Sequence, residues 1–200
     1  MKLYHIQPEQ WFKQWYLKEN ALYADWSHVD ELWVDPYRWL CTQMREQHIA
    51  GHPSKDVPPI WAWYQWNGAK APRPDLRSSM MRQWGQQGRQ VMLELEVPGE
   101  FVMLSDYDSW HFPLNYWFLS EDEEESNRFE QRCNQQALSY YRNKPLPDKT
   151  LHEELVQSWQ RIFDYDHDSV VQTTLWTLRP EWICSIKYFG KDALAVPPPV

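Results

Sequence analysis

Val91-Met92-Leu93-Glu94-Leu95-Glu96-Val97 puts Val91, Leu93, Leu95 and Val97 on one side of an extended chain and Met92 with two glutamates on the other. Strict alternation of this kind is the signature of a strand with one face on a core. Working outward from it, Lys2 to Gln7 alternates Leu3 and His5 against Tyr4 and Ile6, and reads as a short opening strand. Ile60 to Trp66, behind a Pro-Pro pair, reads as an aromatic strand, and Phe101 to Leu104 as a further one. Near the other end, Val170 to Leu178 and Trp182 to Phe189 read as paired strands joined by Arg179-Pro180-Glu181.

Helical spacing fills the gaps. Pro8 opens a helix with Trp11 and Trp15 four residues apart, ending near Asn20. Asp35 and Pro36 start a second helix with the stripe Tyr37, Leu40, Cys41 and Met44, closed by Gly51, His52 and Pro53. Ser105 with Asp108 forms a capping box for a short helix through Trp110, Leu114 and Trp117, limited by Pro113. A polar helix covers Asp122 to Tyr141, and Thr150 with Glu153 caps another carrying Leu151, Leu155, Trp159 and Ile162. The fold class that follows is α+β: a small, mainly antiparallel sheet flanked by an N-terminal helical pair and a C-terminal helical annex. One domain over residues 1–194, with a proline-rich tail over 195–200, accounts for the chain.

Two hundred residues with 42% hydrophobic content suffice for a core without disulfides or metal. The three cysteines are odd in number and widely spaced, which points to a reducing compartment. The opening residues reach Pro8 too early for a secretory apolar region, and no run approaches membrane-spanning length, so the cytoplasm is the expected location. A net charge of -8 opposes non-specific binding to nucleic acid. Between Lys70 and Arg89, however, Lys70, Arg73, Arg77, Arg82 and Arg89 face only Asp75, so an anion has a local place to dock, or the charges serve solubility. Fourteen tryptophans exceed what a core of this size uses, and the surplus suggests planar ligands or a partner protein.

Asp106, Asp108 and His111, like Asp164-x-Asp166-His167-Asp168, have metal-ligand types at short spacing, but caps and turns explain the same residues, and no metal is assigned. There is no Gly-x-Ser-x-Gly elbow, no Gly-x-Gly-x-x-Gly and no Gly-Lys-Ser/Thr loop among six glycines. Rossmann dinucleotide binding and P-loop hydrolysis are therefore set aside.

Leu3-Tyr4-His5-Ile6-Gln7, Ile60-Trp61-Ala62-Trp63-Tyr64, Pro74-Asp75-Leu76-Arg77 and Leu104 to His111 resemble, across nearly the full chain, the bacterial family called domain of unknown function 3841. A fainter resemblance links the opening strand with its histidine, the helix carrying Trp11, and Ala21-Leu22 to small ADP-ribosyltransferase folds. Gln172-x-x-Leu175 with Leu178-Arg179-Pro180-Glu181-Trp182-Ile183 is similar to the final strand pair of that fold, where an acid or glutamine acts. The glutamate expected near Gln172 is missing from that strand.

That second resemblance implies transfer of ADP-ribose from NAD, the co-substrate, to a macromolecular acceptor, RNA or protein, in a toxin or phage-defence setting with an antitoxin-like inhibitor as partner. Breaking the nicotinamide-ribose bond passes through an oxocarbenium-like state, so NAD and a nucleophile must be positioned together. In such a site His5 and Gln172 are the catalytic candidates, His5 on a ribose hydroxyl and Gln172 orienting the ribose 2′-hydroxyl. Gln7, Trp63, Tyr64 and Arg77 are the NAD-binding candidates, with Trp63 or Tyr64 stacking on nicotinamide and Arg77 meeting the pyrophosphate. Each residue also has a plainer use: His5 as a core histidine, Trp61 and Trp63 as one packed face, Gln172 at a strand end, Arg77 in a salt bridge with Asp75. The alternative is a non-catalytic module stacking a nucleobase or single-stranded RNA on exposed tryptophans, with Lys70 to Arg89 holding phosphate. A third possibility is an adaptor with tryptophans at an obligate interface.

Overall fold

The computed structural model describes residues 1–16, 20–139 and 141–191, which divide into two compact units: Met1–Leu104 with the chain from Val171 onward, and Ser105–Val170. The anticipated tail over 195–200 and the end of the first helix before Asn20 lie outside the described residues. Where the sequence reading draws one domain over residues 1–194, two units are described. Among the described residues no helix is long and apolar enough to cross a membrane.

The architecture is α+β, as the alternating segments imply. Strands β1 (Lys2–Pro8), β2 (Ile60–Gln65), β3 (Gln90–Glu96), β4 (Met103–Asp106), β5 (Val171–Leu175) and β6 (Ile183–Phe189) form one sheet in the order β4-β5-β2-β1-β3-β6. The registered pairs β1–β2, β1–β3, β2–β5 and β3–β6 are all antiparallel. Helices α1 (Glu9–Tyr16), α2 (Val34–Glu46) and α3 (Ser79–Gln86) belong to the first unit, and α4 (Tyr107–Asn115), α5 (Glu123–Gln135) and α6 (Lys149–Ser158) to the second.

Partners directly opposite in an antiparallel ladder share a face, and neighbours along a strand alternate. Leu3 pairs Leu95, His5 pairs Leu93 and Gln7 pairs Val91, so these side chains occupy one face. Phe12 and Trp15 of α1 join Leu3, Val91, Leu93, Leu95, Ile60, Ala62 and Leu175 in one buried cluster. The i,i+3 spacing of Phe12 and Trp15 gives this short helix a single apolar stripe for that contact. Arg89 lies 3.3 Å from Glu9 at the start of α1 and packs over Tyr188.

Two late segments differ from expectation. Val170 to Leu178 and Trp182 to Phe189 do not form a hairpin, because β5 pairs β2 while β6 pairs β3, with three strands between β5 and β6. The chain between them is held elsewhere: Leu22 and Leu178 exchange backbone hydrogen bonds, and the Thr177 hydroxyl donates to the Leu22 carbonyl. Helix α3 occupies part of the basic segment Lys70 to Arg89, where the sequence pattern suggests no helix. Ser78 caps it by accepting from Met81 N, and Met81 is fully buried. A β-carbon on its Gly85 would meet the Gly190 Cα at 2.8 Å, and Gly190 itself has φ +91°, so α3 docks on the end of β6 through two bare backbones.

The caps of the second unit are also shifted from the sequence reading. Asp106, not Ser105, caps α4, and Asp148, not Thr150, caps α6, each carboxylate accepting from an amide three residues on. A carboxylate gains from the positive end of the helix dipole as well as from the hydrogen bond, so the nearby Asp takes the position. The polar helix α5 ends at Gln135 rather than near Tyr141. Leu151, Leu155, Trp159 and Ile162 are buried, as their spacing implies. Phe118 and Phe129 stack at 4.1 Å with planes 4° apart.

Candidate functional site

His5 and Trp61 mark a place where the sheet opens. The registered pair between β1 and β2 is Tyr4 with Trp63. Beyond it His5 Nδ1 lies 2.7 Å from the Trp61 carbonyl oxygen, so a side chain engages the backbone acceptor. A carbonyl can only accept, which makes Nδ1 the protonated nitrogen and leaves Nε2 with its lone pair. Burial holds the imidazole below its ordinary pKa, more than the Trp61 carbonyl and the Gln7 side chain raise it, so the ring is neutral.

His5 and Gln7, only 8% and 6% exposed, line a cavity of about 650 Å³ with α1 and the segment Leu22–Asp25 along its sides. Among the described residues, three buried polar atoms of the lining side chains have no hydrogen-bond partner: His5 Nε2, Gln7 Nε2 and Trp15 Nε1. As placed, the first is an acceptor and the other two are donors. Leaving such atoms unpaired costs about 1–3 kcal/mol each, so a polar ligand edge that pairs them is favoured. The remaining lining mixes aromatic side chains with aliphatic ones such as Ile6, Leu22 and Ile60. Trp11, which is 39% exposed, stacks on His28 with centroids 4.7 Å apart, and Tyr23 lies 5.7 Å from the Lys55 ammonium. Asp25 is the carboxylate of the lining, its Oδ1 accepting from Ser27 N at 2.9 Å.

A cavity of this size accommodates a planar heterocycle with part of an attached sugar, and its donors and acceptor are arranged on strand and helix rather than on loops. The family model described as "Domain of unknown function (DUF3841)" matches residues 2–184. The chain belongs to this family. No curated protein and no solved structure matches the chain. The likeness to ADP-ribosyltransferase folds thus rests on the residues that carry it.

In this DUF3841 chain the six candidate site residues separate into three groups. His5 and Gln7 share the cavity. Trp63 and Gln172 are opposite each other in the β2–β5 ladder, and Trp63 is opposite Tyr4, which places both on the other face of the sheet from His5. Trp63 is buried and meets Trp66 edge-on at 4.6 Å. Tyr64, at the β-bulge between Trp63 and Gln65, packs against the hydrophobic core rather than on the cavity wall. Arg77, with 90% of its side chain exposed, grips both oxygens of Asp75 at 3.0 and 3.3 Å, and its amide donates to the same carboxylate. With Arg89 engaged beside Glu9, the basic segment is no open row of five cations.

Trp15, Asp25, His28 and Lys55 line the cavity without standing out as site residues in the sequence. Trp15 shows only as a helical apolar position. Asp25, His28 and Lys55 come from irregular segments with no spacing pattern, and the one available signal was that binding residues concentrate in such segments.

Several of the carboxylates and histidines weighed for metal are used locally. Asp106 caps α4, His111 Nδ1 lies 3.0 Å from the Tyr107 carbonyl, and Asp166 accepts from the amides of Asp168 and Ser169 at 2.9 Å. Among the described residues no group of three or more His, Cys, Asp or Glu side chains is placed to hold a metal ion.

Proposed function

We propose that this chain is an NAD-consuming ADP-ribosyltransferase-like enzyme, acting in the cytoplasm on an RNA or protein acceptor, whose nicotinamide-binding end is the cavity above His5 and Gln7. The observation that carries the reading is the set of buried, unpaired atoms on its lining residues, which small side-chain shifts would present to a ligand: one acceptor, His5 Nε2, and two donors, Gln7 Nε2 and Trp15 Nε1. A carboxamide is the complement of that set, its NH₂ donating to His5 and its oxygen accepting from Gln7 or Trp15. Aromatic walls hold the ring, and the ribose lies toward the mouth, where Trp11 and His28 stack.

In the reaction the bond between ribose C1′ and the pyridinium nitrogen breaks, its electron pair neutralises the ring, and nicotinamide leaves. An acceptor nucleophile bonds C1′ and releases its proton to water. His5 and Gln7 hold the leaving group in one orientation, which aligns C1′ with the approaching acceptor. Gln172, on the other face, has no direct part in this arrangement, so the catalytic pairing of His5 with Gln172 gives way to His5 with Gln7.

A second reading uses the same cavity without chemistry. A nucleobase also offers adjacent donors and acceptors, and the exposed Trp11–His28 stack is a platform on which a base can lie. One experiment separates the two: NAD labelled in its ADP-ribose part is incubated with RNA, DNA and protein acceptors while nicotinamide is quantified. Transfer of label with matching nicotinamide release, lost in His5→Ala and kept in Gln172→Ala, supports the enzyme. Absence of both label transfer and nicotinamide with every acceptor sinks it, and saturable binding of nucleosides then supports the module.

A further inference from the structure

Among the described residues, the lining of the His5 cavity contains one carboxylate, Asp25, and one amine, Lys55, beside neutral and aromatic side chains. Asp25 is a fixed anion: its Oδ1 takes the Ser27 amide at 2.9 Å, and hydrogen bonds from the Ser27 amide and side chain hold its carboxyl below the usual range. Trp11, Trp15 and Tyr23 line the same space, and aromatic faces attract cations. The Lys55 ammonium is held near the Tyr23 ring, so Asp25 and Lys55 bring charges of opposite sign to the lining from separate segments.

We infer that Asp25 makes this cavity selective for a cationic, N-substituted pyridinium ring over its neutral counterparts, with Lys55 serving the phosphate end of the same ligand. The inference rests on the nicotinamide reading above and deepens it. Oxidised NAD has this polarity: its pyridinium ring is positive and its pyrophosphate negative. Reduced NAD keeps the carboxamide but has a neutral ring, so it satisfies His5 and Gln7 and gains nothing from Asp25. Selection by charge therefore adds a criterion that hydrogen bonding to the carboxamide cannot supply.

The test is calorimetric titration at pH 8 with 1-methylnicotinamide, which is cationic, and nicotinamide, which is neutral, on the wild type, Asp25→Asn and Lys55→Met. Asparagine keeps an oxygen for the Ser27 amide, so the local cap survives while the charge goes. The wild type is expected to prefer 1-methylnicotinamide by about fivefold or more, in keeping with a partly exposed cation site. Asp25→Asn should bind the two ligands alike, and Lys55→Met should weaken oxidised NAD while leaving 1-methylnicotinamide unchanged. Equal binding of the two by the wild type, or a preference that persists in Asp25→Asn, overturns the charge selection and leaves the nicotinamide reading standing. Binding of neither ligand by protein with a normal melting transition overturns both.

Discussion

The imidazole of His5 donates to the backbone carbonyl of Trp61 across the opening between two central strands. That bond sets the tautomer and leaves Nε2 with its lone pair, while burial of the ring ties folding to proton uptake.

Because the folded state holds His5 below its ordinary pKa, the unfolded chain binds this proton first as pH falls. The contribution of a neutral His5 is fully present above about pH 6.5 and declines as pH drops from there toward the depressed folded value, with a slope of at most about 1.4 kcal/mol per pH unit. Urea unfolding of the wild type and His5→Gln between pH 8 and 5 should show the wild type losing more stability. Parallel curves would mean that His5 takes up its proton alike in both states.

The face assignment separates Gln7 from Gln172. Gln7→Ala removes a donor from the cavity and should weaken NAD or nicotinamide binding by about tenfold, the value of one hydrogen bond to a buried partner. Gln172→Ala should leave affinity within about twofold in the same titration. The reverse ranking would mean that the ligand uses the opposite face of the sheet.

Where α3 meets the end of β6, the Gly85 contact is backbone on backbone and has no flexible atom to yield. Gly85→Ala should therefore destabilise by about 1–3 kcal/mol, even though alanine is the better helix former. Chemical denaturation measures the change, and a stabilised variant would show that the two backbones can move apart.

Thiol chemistry should discriminate among the cysteines. Burial pushes the Cys41 thiol up to about 11 and raises that of Cys133, while Cys184 is exposed. Only thiolate reacts, so a thiol-specific reagent at pH 8 should label Cys184 rapidly in the folded protein and the other two only in denaturant. Cys184→Ser should abolish the fast phase.

The alternations in Lys2 to Gln7 and Val91 to Val97 were legible because each strand has a buried apolar face, and both fall within a residue or so of their actual ends. Strand partners were not legible in the same way. Val171–Leu175 and Ile183–Phe189 are close in sequence and rich in strand formers, which suggests a hairpin, yet the Leu22–Leu178 bridge diverts the chain between them. Nothing local to either strand records that bridge. The same limit applies to the site. The parity that puts His5 on one face and Gln172 on the other depends on the registers Tyr4–Trp63 and Trp63–Gln172, which join residues more than fifty positions apart. His5 and Gln7 could be picked out together because one strand carries both.

The separation of β5 from β6 also bears on how the molecule is made. A ribosome that has released the first hundred residues has exposed the material for a three-stranded β2-β1-β3 sheet, with both outer edges unpaired until the segment after Val171 emerges. Open edges of this kind template association between nascent chains, and closing them requires contacts of long sequence separation. Slow translation through residues 105–170 would lengthen that interval, so aggregation in the cell should track synthesis speed over a stretch that contributes little to the sheet itself.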